Sequence, residues 1–133
     1  MSFRSGILLL SLAAAVSGCG RRVTLVPVAG RVTLDGKPLA GGSVMARPAA
    51  GPAARGPIDG DGRFVLGTYA AGDGAIPGPA RIRVSWYERQ TSGEEAMVGR
   101  SLVPQKYADF DTSGLTATIA AGMGELVLDL KSP

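Results

Sequence analysis

The stretch that decides the fold is Ala80-Arg81-Ile82-Arg83-Val84-Ser85-Trp86-Tyr87. Polar and apolar side chains alternate along it, so its isoleucine, valine and tryptophan share one face. Its two arginines and its serine share the other face. Because a period of two with one apolar face is typical of a half-buried antiparallel strand, this segment predicts a β-strand.

Glycine-rich turns divide the rest of the chain into similar short strands. Asp35-Gly36 lies between alternating segments and predicts a tight hairpin, because both residues accept the positive φ that such a turn needs. We expect the hairpin to return through Ser43–Arg47, which Pro48 ends, and Ala49–Pro57 to be a loop. Other predicted strands are Gly30–Leu34, Arg63–Leu66, Leu115–Ile119 and Glu125–Leu130, and an edge strand can start between Val23 and Val28.

The spread of turn residues indicates the fold class. Glycine (20 residues) and proline (9) punctuate the whole chain, aromatic residues are few, and no sustained helical spacing follows the N-terminal segment. Short strands at regular turn spacing predict an all-β protein, an Ig-like or transthyretin-like antiparallel β-sandwich of about seven strands.

The N-terminal segment predicts that the protein is exported and held at a membrane. Arg4 precedes the apolar run Ile7–Val16, and small residues and a cysteine follow in Val16-Ser17-Gly18-Cys19. This is the layout of a secretory signal peptide, and its end resembles the lipobox of bacterial lipoproteins. The resemblance implies cleavage after Gly18 and acylation of the Cys19 sulfur, which makes Cys19 the lipid-bound N-terminus of the mature protein.

Two other interpretations compete for this segment. A transmembrane helix needs about 20 apolar residues, and the run here is roughly half as long. An ordinary signal peptide remains open, with Cys19 as a free thiol that has no second cysteine to pair with. An aspartate directly after the lipidated cysteine resembles a signal for retention in the inner membrane. This chain has Gly20 at that position, which favours location in the outer membrane. We therefore expect a membrane-anchored, extracytoplasmic protein at the outer membrane or the periplasmic face.

The expected organisation has three parts: a signal peptide at residues 1–18, a lipidated tether at residues 19–27 and one β-sandwich domain at residues 28–133. The formal net charge of the whole chain is +3, and only Arg21-Arg22 are adjacent basic residues. Such scattered charge predicts no electrostatic stripe and no nucleic-acid partner. Arg21-Arg22 are expected to be a solvated tether, with contact to anionic headgroups as the alternative.

Several segments resemble carboxypeptidase regulatory-like domains in their order along the chain. These are Gly30–Val44, the acidic turn and strand at Asp59–Phe64, Pro77-Gly78, and the late segments Pro104–Tyr107 and Thr112–Thr116, which look like versions found in planctomycete-type lipoproteins. The resemblance covers nearly all of the mature chain. It implies a transthyretin-like, seven-stranded sandwich without catalytic residues of its own.

One position departs from that resemblance. The family often has a tyrosine two residues after Pro-Gly, where this chain has Ala80. The corresponding core or corner contact is therefore missing or comes from another residue.

The composition argues against an enzyme. The chain has no histidine, which removes the usual general base, the commonest zinc ligand and every Ser-His triad. Glu94 and Glu95 are adjacent, so in a strand they would face opposite ways, and we expect a charged loop tip there. We predict no catalytic activity and no cofactor.

Acidic turns are the candidate metal sites. Asp59 and Asp61 occupy alternate positions of a glycine turn and form a possible weak calcium site, although a full calcium loop would need an acid where Ala70 stands. The alternative is an Asx turn that starts the next strand. Asp109 and Asp111 form a similar pair with the same alternative.

Trp86 and Tyr87 form the candidate aromatic site. Trp86 is in register with the apolar face of its strand, so we expect it in the core and Tyr87 outside, with an aromatic ligand platform as the alternative.

Together these features predict a lipid-anchored, non-catalytic structural, assembly or protein-interaction module. The alternative is a carbohydrate- or small-ligand-binding accessory of a surface hydrolase or uptake system. The expected partners are membrane lipid, through acylated Cys19, and an unidentified envelope protein or glycan.

Overall fold

A computed structural model describes residues 24–89 and 99–133, and these residues form two β-sheets. The predicted all-β sandwich is confirmed. The signal peptide, Cys19, Arg21-Arg22 and Glu94-Glu95 lie outside the described residues. Within the described ranges no helix is long and apolar enough to cross a membrane. The elements are β1 (Ala29–Leu34), β2 (Lys37–Pro38), β3 (Ser43–Pro48), β4 (Ala54–Pro57), β5 (Arg63–Val65), β6 (Gly78–Ser85), a 3₁₀ helix (Gln105–Ala108), β7 (Leu115–Ile119) and β8 (Leu126–Leu130).

The first sheet is built around β1. One edge of β1 pairs with β8 in parallel, with Gly30 opposite Leu126 and Leu34 opposite Leu130. The other edge pairs antiparallel with β5 and then with β2. The parallel pairing departs from the expected antiparallel sandwich. It arises because the turn after β7 carries the chain into the opposite sheet, where β8 runs in the direction of β1.

The predicted hairpin at Asp35-Gly36 is confirmed, but its return strand is wrong. Asp35 (φ 52°) and Gly36 (φ 82°) form a two-residue turn, and Lys37–Pro38 alone return along β1. The Leu39 N–H still donates to the Val32 carbonyl (3.0 Å), but the Val32 N–H donates to Gly62, just before β5, so β5 occupies the rest of this edge. The buried Leu39 side chain turns into the core. The expected return strand, β3, therefore belongs to the second sheet.

The second sheet is antiparallel throughout, in the order β4-β3-β6-β7. Its centre is the pair β3 and β6, which matches the strand predicted from Ala80–Tyr87. The predicted loop Ala49–Pro57 is wrong over its second half, because Ala54–Pro57 form β4 against β3. The small residues Ala54 and Gly56 point inward along this edge, so the segment lacks the large apolar side chains by which a strand is recognised.

One apolar core joins the two sheets. Val32 and Leu130 from the first sheet, and Val44, Ile82 and Val84 from the second, are fully buried in it. Burial of such side chains contributes about 1.5–3 kcal/mol each.

Among the described residues, one tyrosine is buried in the core. Ala80 is buried, and a buried tyrosine comes from Tyr107 of the 3₁₀ helix. The Tyr107 hydroxyl accepts a hydrogen bond from the Lys131 N–H (3.0 Å) and lies 3.3 Å from the Lys131 carbonyl oxygen, to which it donates. This contact ties the C-terminal segment to the sandwich.

Candidate functional site

The Asp59 carboxylate is engaged by the backbone of its own turn. Its Oδ1 accepts hydrogen bonds from the N–H groups of Asp61 and Arg63, both at 2.9 Å. This is the Asx turn that starts β5. Over residues 24–89 and 99–133, no three acidic, histidine or cysteine side chains gather as a metal site. Calcium binding at Asp59 and Asp61 stays a prediction, without a further ligand to support it.

The second acidic pair is divided between two structural roles. Asp109 Oδ1 accepts the Asp111 N–H at 2.8 Å, and Asp111 forms an ion pair with Arg81 at 2.8 Å. Its two carboxylates therefore hold a turn and neutralise one strand arginine.

Two other aspartates, which sequence reasoning missed, are more strongly engaged. The Ser132 hydroxyl and backbone N–H bind the Asp35 carboxylate and lower its pKa. Asp73 accepts N–H groups from Thr68 (2.6 Å), Tyr69 (3.1 Å) and Ala70 (3.0 Å), and these bonds, the one from Thr68 first, lower its pKa. Asp73 therefore stabilises a turn, and Asp35 holds the C-terminal segment. No pattern in the sequence predicts either role.

Trp86 packs against the core rather than forming an open platform. Its side chain is half-buried, and its indole ring lies over Gly41, where a Cβ would come within 2.7 Å of the ring. Tyr87 is 39% exposed and faces outward. Tyr87 is exposed, as expected, whereas Trp86 packs at the margin of the core and is not fully buried in it. The two residues follow each other in an extended segment and point to opposite sides, so their rings do not form one exposed platform.

The outer surface of the second sheet gathers four arginines, which we call the arginine face: Arg47, Arg55, Arg81 and Arg83. The strand register brings them together, since β3 and β6 place Arg47 opposite Arg81 and Met45 opposite Arg83. β4 adds Arg55 opposite Met45. Directly paired residues of antiparallel strands project to the same side, so all four side chains leave the sheet on one face.

The arginine face is only partly neutralised. Arg81 pairs with Asp111, whereas the guanidinium groups of Arg47 and Arg83 lie over the Phe110 ring, 5.5 and 5.1 Å from its centroid. Among the described residues, the other three arginines of the face make no ion pair with a carboxylate. Like charges directly opposite each other destabilise a sheet, so this arrangement costs stability that a bound anion would restore.

The outer surface of the first sheet is balanced by comparison. Arg31 pairs with Glu125 at 2.9 Å, and the Thr33 hydroxyl donates to Asp129 at 2.7 Å. Arg63 stands opposite Arg31 on this face. Glu125 and Asp129 thus offset part of the charge of Arg31 and Arg63, and the larger positive surplus lies on the second sheet.

A groove of about 710 Å³ borders the arginine face. Arg47 and Arg81 line it together with Pro79 and the threonines Thr116 and Thr118 of the edge strand β7. Guanidinium groups bind carboxylate, sulfate and phosphate groups through paired N–H donors, and hydroxyls add further donors. The groove thus has the chemistry of an anion site.

The expectation that basic residues form no electrostatic stripe is wrong for this face. Arg47 and Arg55 are far from Arg81 and Arg83 in the sequence, and only the register of β3 with its neighbours joins them. The alternation of Arg81 and Arg83 was the one signal present in the sequence, and it marked half of the face.

No protein-family model matches this chain, and no curated protein or solved structure matches it at a significant level. The resemblance to carboxypeptidase regulatory-like domains therefore stays a prediction, and function has to be argued from the sandwich and its surfaces.

Proposed function

We propose that this protein is a lipid-anchored lipoprotein of a bacterial envelope and a non-catalytic assembly or protein-interaction module. Its arginine face is the surface that binds an acidic partner protein. The observation that carries this proposal is the set of three arginines, Arg47, Arg55 and Arg83, that share one sheet face without carboxylate partners among the described residues.

The anchor in this proposal is Cys19. The pattern Val16-Ser17-Gly18-Cys19 after an apolar run supports acylation of the cysteine. Each buried methylene of an acyl chain contributes roughly 0.8 kcal/mol, and two or more chains hold a protein on a bilayer where one chain holds it marginally. An acylated Cys19 would therefore fix the domain to the membrane without a transmembrane helix.

We expect Cys19→Ala to move the protein from the membrane fraction to the soluble envelope fraction, because the alanine offers no sulfur for acylation. Detergent-phase partitioning and incorporation of labelled palmitate measure the effect. Ser17→Ala, which keeps a small residue beside the cleavage site, is the matched control and should stay in the membrane fraction. A Cys19→Ala protein that partitions like the wild type would contradict the anchor.

The arginine face suits an acidic protein surface. Arginine is enriched at protein interfaces and at their energetic centres, and complementary charge raises association rates and fixes orientation. Phe110, held between Arg47 and Arg83, adds an apolar contact in the middle of the face. A sheet face with several arginines and one aromatic ring matches a folded partner with an acidic surface.

We expect the double variant Arg47→Gln/Arg83→Gln to lower crosslinking to the native envelope partner by at least about tenfold, equivalent to about 1.4 kcal/mol. Quantitative mass spectrometry after crosslinking on intact cells measures the yield. Arg63→Gln, an exposed arginine on the other sheet, is the matched control and should leave the yield unchanged. Equal losses in the two proteins would mean that general charge, not this face, binds the partner.

The groove favours a second function, binding of an acidic carbohydrate by an accessory module. Its pairing of Arg47 and Arg81 with the hydroxyls of Thr116 and Thr118 offers donors for uronate or sulfate groups. A ligand that binds only the folded state raises its stability. A higher melting temperature with an acidic oligosaccharide, but not with its neutral counterpart, would favour this second function.

A further inference from the structure

The chain enters the sandwich at one end, which we call the tether end. Val26 and Ala75 pair there through two backbone hydrogen bonds, of 2.8 and 2.9 Å. Seven peptide steps separate Cys19 from Val26, and they span no more than about 25 Å when fully extended. A lipid on Cys19 would therefore hold this end of the domain close to the bilayer.

Three loops meet at the tether end. The loop between β5 and β6 leads directly into Ala75, and the loop between β3 and β4 contacts it, since a Cβ at Gly51 would meet the Ile76 side chain. The turn between β7 and β8 follows Ile119, which pairs with Gly78 at the start of β6. All three loops thus surround the point at which the tether enters.

The outermost residues of these loops are small and uncharged, whereas Arg55 lines the same pocket as Tyr69 and the exposed Arg31–Glu125 pair lies at the base of the turn after β7. Tyr69 is 70% exposed, the largest side chain among the outermost residues. The two carboxylates nearby are both engaged: Asp73 by backbone N–H groups and Glu125 by Arg31. The exposed tip residues are Ala49, Ala50, Gly51, Pro52, Tyr69, Ala70, Ala71, Gly72, Ala120, Ala121 and Gly122.

The opposite end of the sandwich is densely charged. Its loops hold the Asp35-Gly36-Lys37 turn, the Asp59–Asp61 turn and the Glu88–Arg100 ion pair, all exposed. The loop tips at the end that the tether enters are poorer in charge than these loops.

A bilayer surface matches this end in chemistry. Tyrosine is favoured at the level of the headgroups, where its ring meets acyl chains and its hydroxyl meets water. Small uncharged side chains let the backbone approach closely without the cost of desolvating charge. Arg47 and Arg81, in the groove that borders this end, supply positive charge to anionic headgroups.

We propose that the tether end docks on the headgroup region of the bilayer that holds acylated Cys19, with Tyr69 inserted in the interface. This inference rests on the proposed lipid anchor and adds an orientation to it. In this orientation the three loops contact the membrane, and the charged end of the sandwich points away from the bilayer. The arginine face then lies at the side of the domain, where a neighbouring envelope protein can reach it.

The test uses the full acylated protein in lipid vesicles, with single cysteines that carry an environment-sensitive fluorophore. Tyr69→Cys places the label at the tether end, and Lys37→Cys is the matched control at the charged end. Vesicles contain phosphatidylethanolamine and phosphatidylglycerol, with brominated acyl chains as quencher. We expect quenching at position 69 to exceed that at position 37 by at least about threefold, with a blue shift at position 69 only.

The possible results separate docking from anchoring. Flotation with vesicles reports the anchor alone, and a protein that does not float contradicts the proposed function before any label is read. A protein that floats but shows equal quenching at both positions overturns the docking and leaves the anchor intact. If Tyr69→Cys unfolds, Ala121→Cys on the turn after β7 replaces it. A spectral change at position 69 with a soluble acidic polysaccharide, and none on vesicles, also overturns the docking.

Discussion

Replacement of Gly30 by alanine is expected to lower the free energy of unfolding by at least about 3 kcal/mol, the upper range for overpacked cores. Gly30 lies in β1 between Phe64 of β5 and Leu126 of β8. A Cβ at this position would overlap the Leu126 carbonyl oxygen and come within 2.5 Å of the Phe64 ring. Phe64 can rotate away, but the carbonyl oxygen belongs to the ladder itself. The methyl group therefore has to push β8 away from β1.

Urea denaturation followed by circular dichroism measures the loss. Ala29→Ser changes the neighbouring exposed residue of β1 and is the matched control, with an expected shift within about 0.5 kcal/mol. Adding Phe64→Leu to Gly30→Ala should not restore stability, because the clash with Leu126 persists. A Gly30→Ala protein as stable as the wild type would mean that β1 and β8 are not packed this closely.

The sequence predicts that Gly30 lies in a strand, but it does not predict the close contact of Gly30 with β8. Alternation identified β6, β7 and β8 because each keeps one apolar face over several residues. The partner of each strand is a long-range choice, and local pattern does not encode it. The sequence predicts the wrong partner for β3, because the Asp35-Gly36 turn is visible in the sequence and the crossing of the chain into the other sheet between Leu39 and Ser43 is not.

For the arginine face, too, the sequence predicts local features and not the contacts between distant strands. Arg81 and Arg83 were predicted on one outer face from their spacing. Arg55 was hidden in a stretch of alanine, glycine and proline that resembles a loop, and Arg47 was assigned to a strand with a different neighbour. A charge cluster that spans three strands exists only once their order is known, so the net charge of +3 concealed a locally basic face.

The small, uncharged loop tips of the tether end could not be grouped from the sequence, for a related reason. Its three loops are separated by whole strands in the sequence, and each alone is an ordinary turn of small residues. Only the pairing of Val26 with Ala75 shows that the tether enters among them. Exposed Tyr69 gains meaning from that position, because the same residue on the charged end would be an isolated surface tyrosine.

Replacement of Trp86 by alanine is expected to cost about 3 kcal/mol, the lower end of the range for truncation of a large aromatic core residue. The indole is half-buried, packs against the apolar core and covers Gly41, so its removal opens a cavity that the glycine backbone cannot fill. Trp86→Phe keeps most of the ring contact and should cost about half as much. Because Trp86 is the single tryptophan, circular dichroism rather than intrinsic fluorescence has to follow the unfolding.

The same variant decides between a core residue and a ligand platform. Tyr87→Ala is the matched control, since Tyr87 is the exposed neighbour, and we expect a change within about 0.5 kcal/mol there. If Trp86→Ala also changed stability by less than about 0.5 kcal/mol, the indole would contribute little to the core. Loss of binding to an acidic oligosaccharide in that variant, with the fold intact, would then assign Trp86 to recognition. A large loss of stability would instead mean that Trp86 is a core residue and that the arginine face is the recognition surface. Trp86 would then stabilise that face indirectly, because it directly follows β6, the strand that carries Arg81 and Arg83.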